Sequence, residues 1–171
     1  TTALHDLDEG AVVGVRGPFG NWFPYERMKG KNLLIVGGGI GMAPLRSLLS
    51  FCLDNRSDYG HIDIFYGARS PRDFCFTYEW DRWRNAPDTK LYLAADVGDD
   101  TWKEYVGVVP KYLMEVHPSA ENAVAITCGP PIMIKFTLPE LQKLGFGDDD
   151  LITTLEMRMK CGLGKCGRCN I

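Results

Sequence analysis

The sequence predicts an α/β chain built on a doubly wound parallel sheet, and three observations carry that prediction. Short, continuous apolar runs alternate with stretches of helical periodicity along the 171 residues. Continuous runs, unlike alternating ones, suit strands covered on both faces. The runs end in loops rich in glycine or proline: G-G-G-I-G-M-A-P, Y-G-A-R and C-G-P-P. In doubly wound sheets ligands bind at the carboxyl ends of the strands, which is where these loops fall.

Taken in order, 11–16 (AVVGVR) reads as a strand, followed by the loop GPFGNWFPY. Residues 33–36 (LLIV) form the next strand and lead into the glycines. The segment 44–55 sets Leu45, Leu48, Leu49 and Cys52 on one helical face, with Pro44 in the first turn, where its missing N–H is tolerated. A strand over 61–67 precedes a helix over 73–84. Then come a strand at 90–95, a helix at 108–116 and a strand at 123–127. A helix from about 131 is expected to be interrupted at Pro139 and to close near Gly145, because proline lacks the N–H that an interior helical position donates. LITTLE (151–156) reads as an edge strand running into a cysteine cluster.

Composition narrows the function. A net charge of −3, with no run of Lys or Arg, argues against nucleic acid as a partner. No apolar stretch approaches a membrane span, and no signal peptide opens the chain. Three of the six cysteines are scattered singly (Cys52, Cys75, Cys128) and three are clustered (Cys161, Cys166, Cys169). That distribution suits a reducing, cytoplasmic setting and a metal better than a disulfide framework.

Glycines between a buried strand and a helix let backbone pass close to a phosphate, and the helix start offers unpaired N–H groups. The loop Gly37-Gly38-Gly39-Ile40-Gly41-Met42 has that placement. It departs from G-x-G-x-x-G at Met42 and lacks the Lys-Ser/Thr of a P-loop, so the ligand stays open on spacing alone. The bland alternative is a tight turn, for which four glycines in five positions are excessive. The second strand ends in Arg69 where an acidic residue would hold a ribose hydroxyl. Arg69 suits a phosphate or an adenine face, or is a solvated loop residue. Trp80, Trp83 and Trp102 fit a buried core better than a docking face, and Lys160, Lys165 and Arg168 are docking charges or ordinary exposed ones.

Cys161, Cys166 and Cys169 have the spacing C-x4-C-x2-C, as in plant-type [2Fe–2S] proteins, with a fourth ligand expected beyond Ile171. Zinc would favour paired C-x2-C knuckles, and only one such pair is present. Cys128, after a buried strand and before Gly-Pro-Pro, is expected at the rim of a cleft; the alternative is a small buried hydrophobe.

With these loops in view, the chain resembles the ferredoxin-NADP reductase superfamily, in its iron–sulfur flavoprotein branch. The matching residues are R-G-P-F-G (16–20), G-G-G-I-G-M-A-P-L-R (37–46), Y-G-A-R (66–69), C-G-P-P-I-M (128–133) and L-E-M-R-M-K-C-G-L-G-K-C-G-R-C (155–169). The resemblance implies a remnant of an FAD-binding β-barrel and linker over 1–30, an NAD(P)-binding α/β domain over 31–150, and an edge strand with a partial [2Fe–2S] loop over 151–171. It implies a segment of a larger subunit, cut at both ends. Thr1 aligns by resemblance with a threonine at an FAD phosphate, and Gly17, Pro18 and Gly20 lie in the matching cofactor-binding stretch. Gly37 to Met42 would hold a pyrophosphate, Arg69 would lie toward the adenosine half, and Asp96 near the pocket wall. Cys128 would sit beside the nicotinamide as the catalytic position, with Gly129 and Pro130 shaping the slot.

The implied cofactors are NAD(H), with NADP(H) as the alternative, FAD and a [2Fe–2S] cluster. The implied activity is that of an electron-transfer subunit. It moves hydride between NAD(P)H and FAD, and single electrons to the cluster and a partner. That partner is a subunit of hydrogenase, heterodisulfide reductase, sulfite reductase or dihydroorotate dehydrogenase type. Competing readings are an electron-relay or assembly subunit with a vestigial nucleotide site, and a zinc-stabilised module without redox chemistry.

Overall fold

The computed structural model describes residues 2–15, 17 and 21–154. These fall into two units, 2–22 and 23–154. In the first, a single helical turn, α1 (Thr2–His5), precedes irregular backbone. The strand expected over 11–16 does not form in the described part, 11–15, where Val12 and Val15 are exposed. Apolar, β-branched residues satisfy a strand's side-chain preference, yet a strand exists only where a neighbour completes its ladder.

The second unit is a six-stranded, all-parallel sheet. Its strands are β1 (Asn32–Gly38), β2 (Ile62–Ala68), β3 (Thr89–Ala95), β4 (Tyr105–Val106), β5 (Ala123–Cys128) and β6 (Leu151–Thr153). They lie in the order β4-β3-β2-β1-β5-β6. The chain therefore winds outward from β1 through β4, then returns to the other side of β1 for β5. Helices α2 (Met42–Asp54) and α3 (Trp80–Asn85) cover one face, and α4 (Val109–Val116) and α5 (Pro131–Lys143) cover the other.

The pleat divides the apolar runs between the two faces. Leu33 and Ile35 pack with Leu45, Leu48, Leu49 and Cys52 of α2, while Leu34 and Val36 pack with Val109, Leu113 and Leu141. Both sets are buried, which is why the strands read as unbroken apolar runs. The partner strands β1 and β2 align Ile35 with Ile64 and Gly37 with Tyr66.

Two further expectations need correction, and one short strand gives no signal in the sequence. The helix over 73–84 is α-helical only from Trp80, after a 3₁₀ turn at Thr77–Glu79: Phe76 takes a left-handed φ of 58°, and Cys75 gives its N–H to the Tyr66 hydroxyl instead of a helical carbonyl. Pro139 does not interrupt α5, which runs through it. Burial of Ile134, Thr137 and Leu141 holds that helix together against the loss of one backbone hydrogen bond. The two-residue strand β4, too short to give an apolar signal, was not anticipated; it pairs Tyr105 and Val106 with Ala94 and Ala95.

At the amino-terminal end of the sheet, His61 is held between two carboxylates. Its Nδ1 lies 2.7 Å from Asp88 Oδ1 and its Nε2 2.9 Å from Asp63 Oδ1. Desolvation opposes the imidazolium, but the two hydrogen-bonded carboxylates outweigh it and raise the pKa above the ordinary 6.5. Asp88 is lowered below its ordinary 3.8, chiefly by the hydrogen bond from His61. The His61 contribution is thus fully present below its unfolded value and is lost as pH rises through the raised folded one. The Asp88 contribution is lost as pH falls through its lowered value. The melting temperature is expected to fall in a step that sets in above the ordinary histidine value of 6.5 and that His61→Asn lacks; parallel profiles for the two proteins would refute the pairing.

Candidate functional site

The strand order reverses between β1 and β5, and a crevice opens at their carboxyl ends. Gly37 and Cys128 are partners in register there. Beyond Gly38 the chain makes one 3₁₀ turn, Gly39–Gly41, before α2 begins at Met42. Gly39 has a φ of 53°, in the left-handed region that glycine adopts without penalty.

Two glycines are required by close approach. A Cβ on Gly41 would lie 2.5 Å from the Cys128 carbonyl oxygen and 2.7 Å from Gly129 Cα. A Cβ on Gly129 would meet Gly38 Cα and N at 3.2 Å. The loops G-G-G-I-G and C-G-P therefore pack backbone against backbone, and the α2 N-terminus opens beside that junction.

A cleft of about 890 Å³ lies at this end of the sheet. Of the sequence-predicted residues, Gly38, Gly39, Arg69, Asp96 and Pro130 line it. Gly37, Gly41 and Met42 are buried beneath the loop, Gly129 is half-buried at the junction, and Ile40 is exposed. Cys128 is buried at 3% exposure and packs on the α2 face of the sheet, away from the cleft-lining set. Gly17 is exposed in the separate unit 2–22. Thr1, Pro18, Gly20, Cys161, Cys166, Cys169, Lys160, Lys165 and Arg168 lie outside the described residues. Trp83 is fully buried, while Trp80 and Trp102 are half-buried, 6.5 Å apart and packed against the core.

One wall carries Arg69, Asp73 and Asp96. Loss of solvent raises the Asp96 carboxyl above its ordinary value, against the lowering effect of the Arg69 charge. The Asp96 N–H donates to Ala68 O at 2.9 Å and the Val97 N–H to Arg69 O at 2.9 Å, which ties the ends of β2 and β3 together. Asp73 also faces the cleft, its carboxylate fixed by the Ser70 hydroxyl at 2.7 Å. Sequence reasoning looked for an acidic residue at the strand terminus and missed this one, which a 3₁₀ turn at Pro71–Asp73 brings back. The Ser-x-x-Asp spacing was the signal available. The opposite wall comes from α4 and α5, through Lys111, Met114, Met133 and Phe136; nothing in their sequence distinguishes them from ordinary helix-surface residues.

This arrangement can bind an extended anion: backbone N–H groups at a helix start, an apolar wall, and polar groups spaced along the strand ends. Residues 35–138 match the family described as oxidoreductase NAD-binding domain. The chain is 37% identical to sulfhydrogenase 1 subunit gamma of Pyrococcus furiosus, over 100% of its own length and 59% of that relative. It is 32% identical to a probable dihydroorotate dehydrogenase B (NAD(+)) electron transfer subunit of Methanocaldococcus jannaschii, over 99% of this chain and 59% of the relative. The chain thus spans about three-fifths of the length of these curated relatives. The cytochrome b5 reductase domain of Ulva prolifera nitrate reductase superposes with a TM-score of 0.77 at 25% identity, covering 90% of this chain and 62% of that one.

Proposed function

Because the chain belongs to the ferredoxin-NADP reductase superfamily, through its oxidoreductase NAD-binding domain, we propose that the crevice at β1, β2 and β5 holds NAD(H). In this reading the pyrophosphate lies over Gly37 to Met42 and the adenosine half lies toward Arg69 and Asp96. Gly129 and Pro130 bound the nicotinamide end, with Cys128 buried next to them in the chain. The observation that carries it is the backbone contact of Gly41 with Cys128 and Gly129 at the strand-order reversal, beside the start of α2.

The protein works as the electron-transfer subunit of a multi-subunit oxidoreductase of hydrogenase or heterodisulfide reductase type. FAD, with Thr1, Gly17, Pro18 and Gly20 as its candidate residues, would supply the hydride-to-single-electron conversion. A [2Fe–2S] cluster on Cys161, Cys166 and Cys169 would pass electrons to the partner. The similarity to a sulfhydrogenase gamma subunit and an electron transfer subunit supports this role. Two carboxylates, Asp73 and Asp96, against the one cation Arg69 on that cleft wall favour NADH over NADPH, since a further phosphate there meets more like charge than opposite.

The test is an anaerobic visible-spectrum titration of the full-length protein with each nucleotide. NADH is expected to bleach the flavin and iron–sulfur bands at concentrations at least roughly tenfold below NADPH. A coloured protein that neither nucleotide binds or bleaches would favour the relay reading, and a colourless protein that yields zinc would reject the redox assignment.

A further inference from the structure

Tyr66, near the end of β2, is fully buried, and its hydroxyl joins two loops. It donates to the Gly39 carbonyl at 3.2 Å and accepts the Cys75 N–H at 2.8 Å. The ring is seated edge-on against Phe74, with centroids 4.9 Å apart. Burial pushes the phenol well above the ordinary tyrosine range, so it stays protonated and able to donate across the working pH range.

The peptide joining Gly39 and Ile40 is planar, so its carbonyl and its N–H point in opposite directions. Tyr66 draws the carbonyl toward β2, and the Met42 N–H bonds the same oxygen from the start of α2. The Ile40 N–H is therefore turned away from β2, on the loop whose Gly38 and Gly39 line the cleft. Gly39 itself offers no such control. Its φ of 53° is open to a residue without Cβ, and none of the described residues lies within 4 Å of where a side chain would be.

We propose that Tyr66 is a positioning residue for the anion-binding loop: it fixes the plane of the Gly39–Ile40 peptide so that the Ile40 N–H serves a ligand pyrophosphate. The proposal rests on the nucleotide reading above. Tyr66 touches no ligand in this scheme and acts only through the Gly39 carbonyl. Its effect is therefore confined to ligands that carry the phosphates.

The test is calorimetric titration of the full-length protein and its Tyr66→Phe variant with ADP-ribose and with adenosine. Phe keeps the ring and its packing on Phe74 while removing the hydroxyl. ADP-ribose is expected to bind about tenfold more weakly to the variant, the equivalent of one lost hydrogen bond, with adenosine unchanged. Equal losses for both ligands, or no loss for ADP-ribose, overturn the positioning role. A second measurement does not depend on the variant folding: in the wild type, the Ile40 amide resonance should move on addition of ADP-ribose and stay in place with adenosine. An Ile40 amide indifferent to ADP-ribose, in a protein that binds it, overturns the proposal and leaves the nucleotide site standing. A wild type that binds neither ligand overturns both.

Discussion

Gly41→Val is expected to abolish measurable ADP-ribose binding and to destabilise the fold by about 3 kcal/mol, the upper end for overpacked sites. The first added carbon alone would lie 2.5 Å from the Cys128 carbonyl oxygen and 2.7 Å from the carbonyl carbon. Those atoms are backbone at the end of a buried strand and cannot rotate aside as a side chain would. Either α2 withdraws from β5 or the Cys128-Gly129-Pro130 loop shifts, and both displace the surface proposed to meet the pyrophosphate. Gly39→Ala is the informative contrast. No atom of the described residues lies within 4 Å of its Cβ position, so the penalty is the left-handed backbone alone, roughly 1–2 kcal/mol. Thermal melts and ADP-ribose titrations of both variants check the ranking. A Gly41→Val protein that binds like the wild type would remove the phosphate-loop assignment.

Arg46→Leu is expected to cost about 3 kcal/mol of stability, because it strands a buried carboxylate. Glu79 is only 7% exposed, and its Oε1 accepts from Arg46 Nε. Among the described residues its second oxygen has no hydrogen-bond partner, and the nearest other cation, Arg82 Nη1, is 3.9 Å away. The Arg46 guanidinium also sits 5.2 Å from the centroid of Phe76, the residue whose left-handed turn starts the approach to α3. Arg46 thereby joins the helix behind the glycine loop to the segment that follows β2. Arg46→Leu combined with Glu79→Gln should recover most of the loss, to within about 1 kcal/mol of the wild type, since no unpaired buried charge remains. Urea unfolding of the single and double variants measures both terms. A single variant that loses less than about 0.5 kcal/mol, as an exposed pair would, would show that Glu79 does not depend on this partner.

Much of the sheet was legible because its cause is local. Leu33 to Val36 and Ala123 to Thr127 are short unbroken apolar runs bounded by turn residues, and the fold needs nothing more to make them buried strands. Leu45, Leu48, Leu49 and Cys52 repeat at helical spacing, and all four are buried. Where the reading failed, a distant contact overrode the local preference. The segment 73–79 has helical residues, but Tyr66 takes the Cys75 N–H and the core takes Phe74. In α5 the disagreement runs the other way: Pro139 opposes a helix locally, and packing against the sheet keeps it.

For the site, the sequence by itself determined which backbone could be approached closely: glycines at 37, 38, 39, 41 and 129, each at or just past the end of a buried strand. It also determined the chemistry available at the strand ends, including Arg69 and Asp96. Only the tertiary structure decided that Gly41 abuts Cys128, that Asp73 returns to the cleft wall, and that Tyr66 holds the Gly39 carbonyl. The reason is physical. Propensity and periodicity act over a few neighbouring residues, whereas strand order brings Gly41 against Cys128 and Tyr66 against Gly39, and these contacts exist only once the sheet has closed.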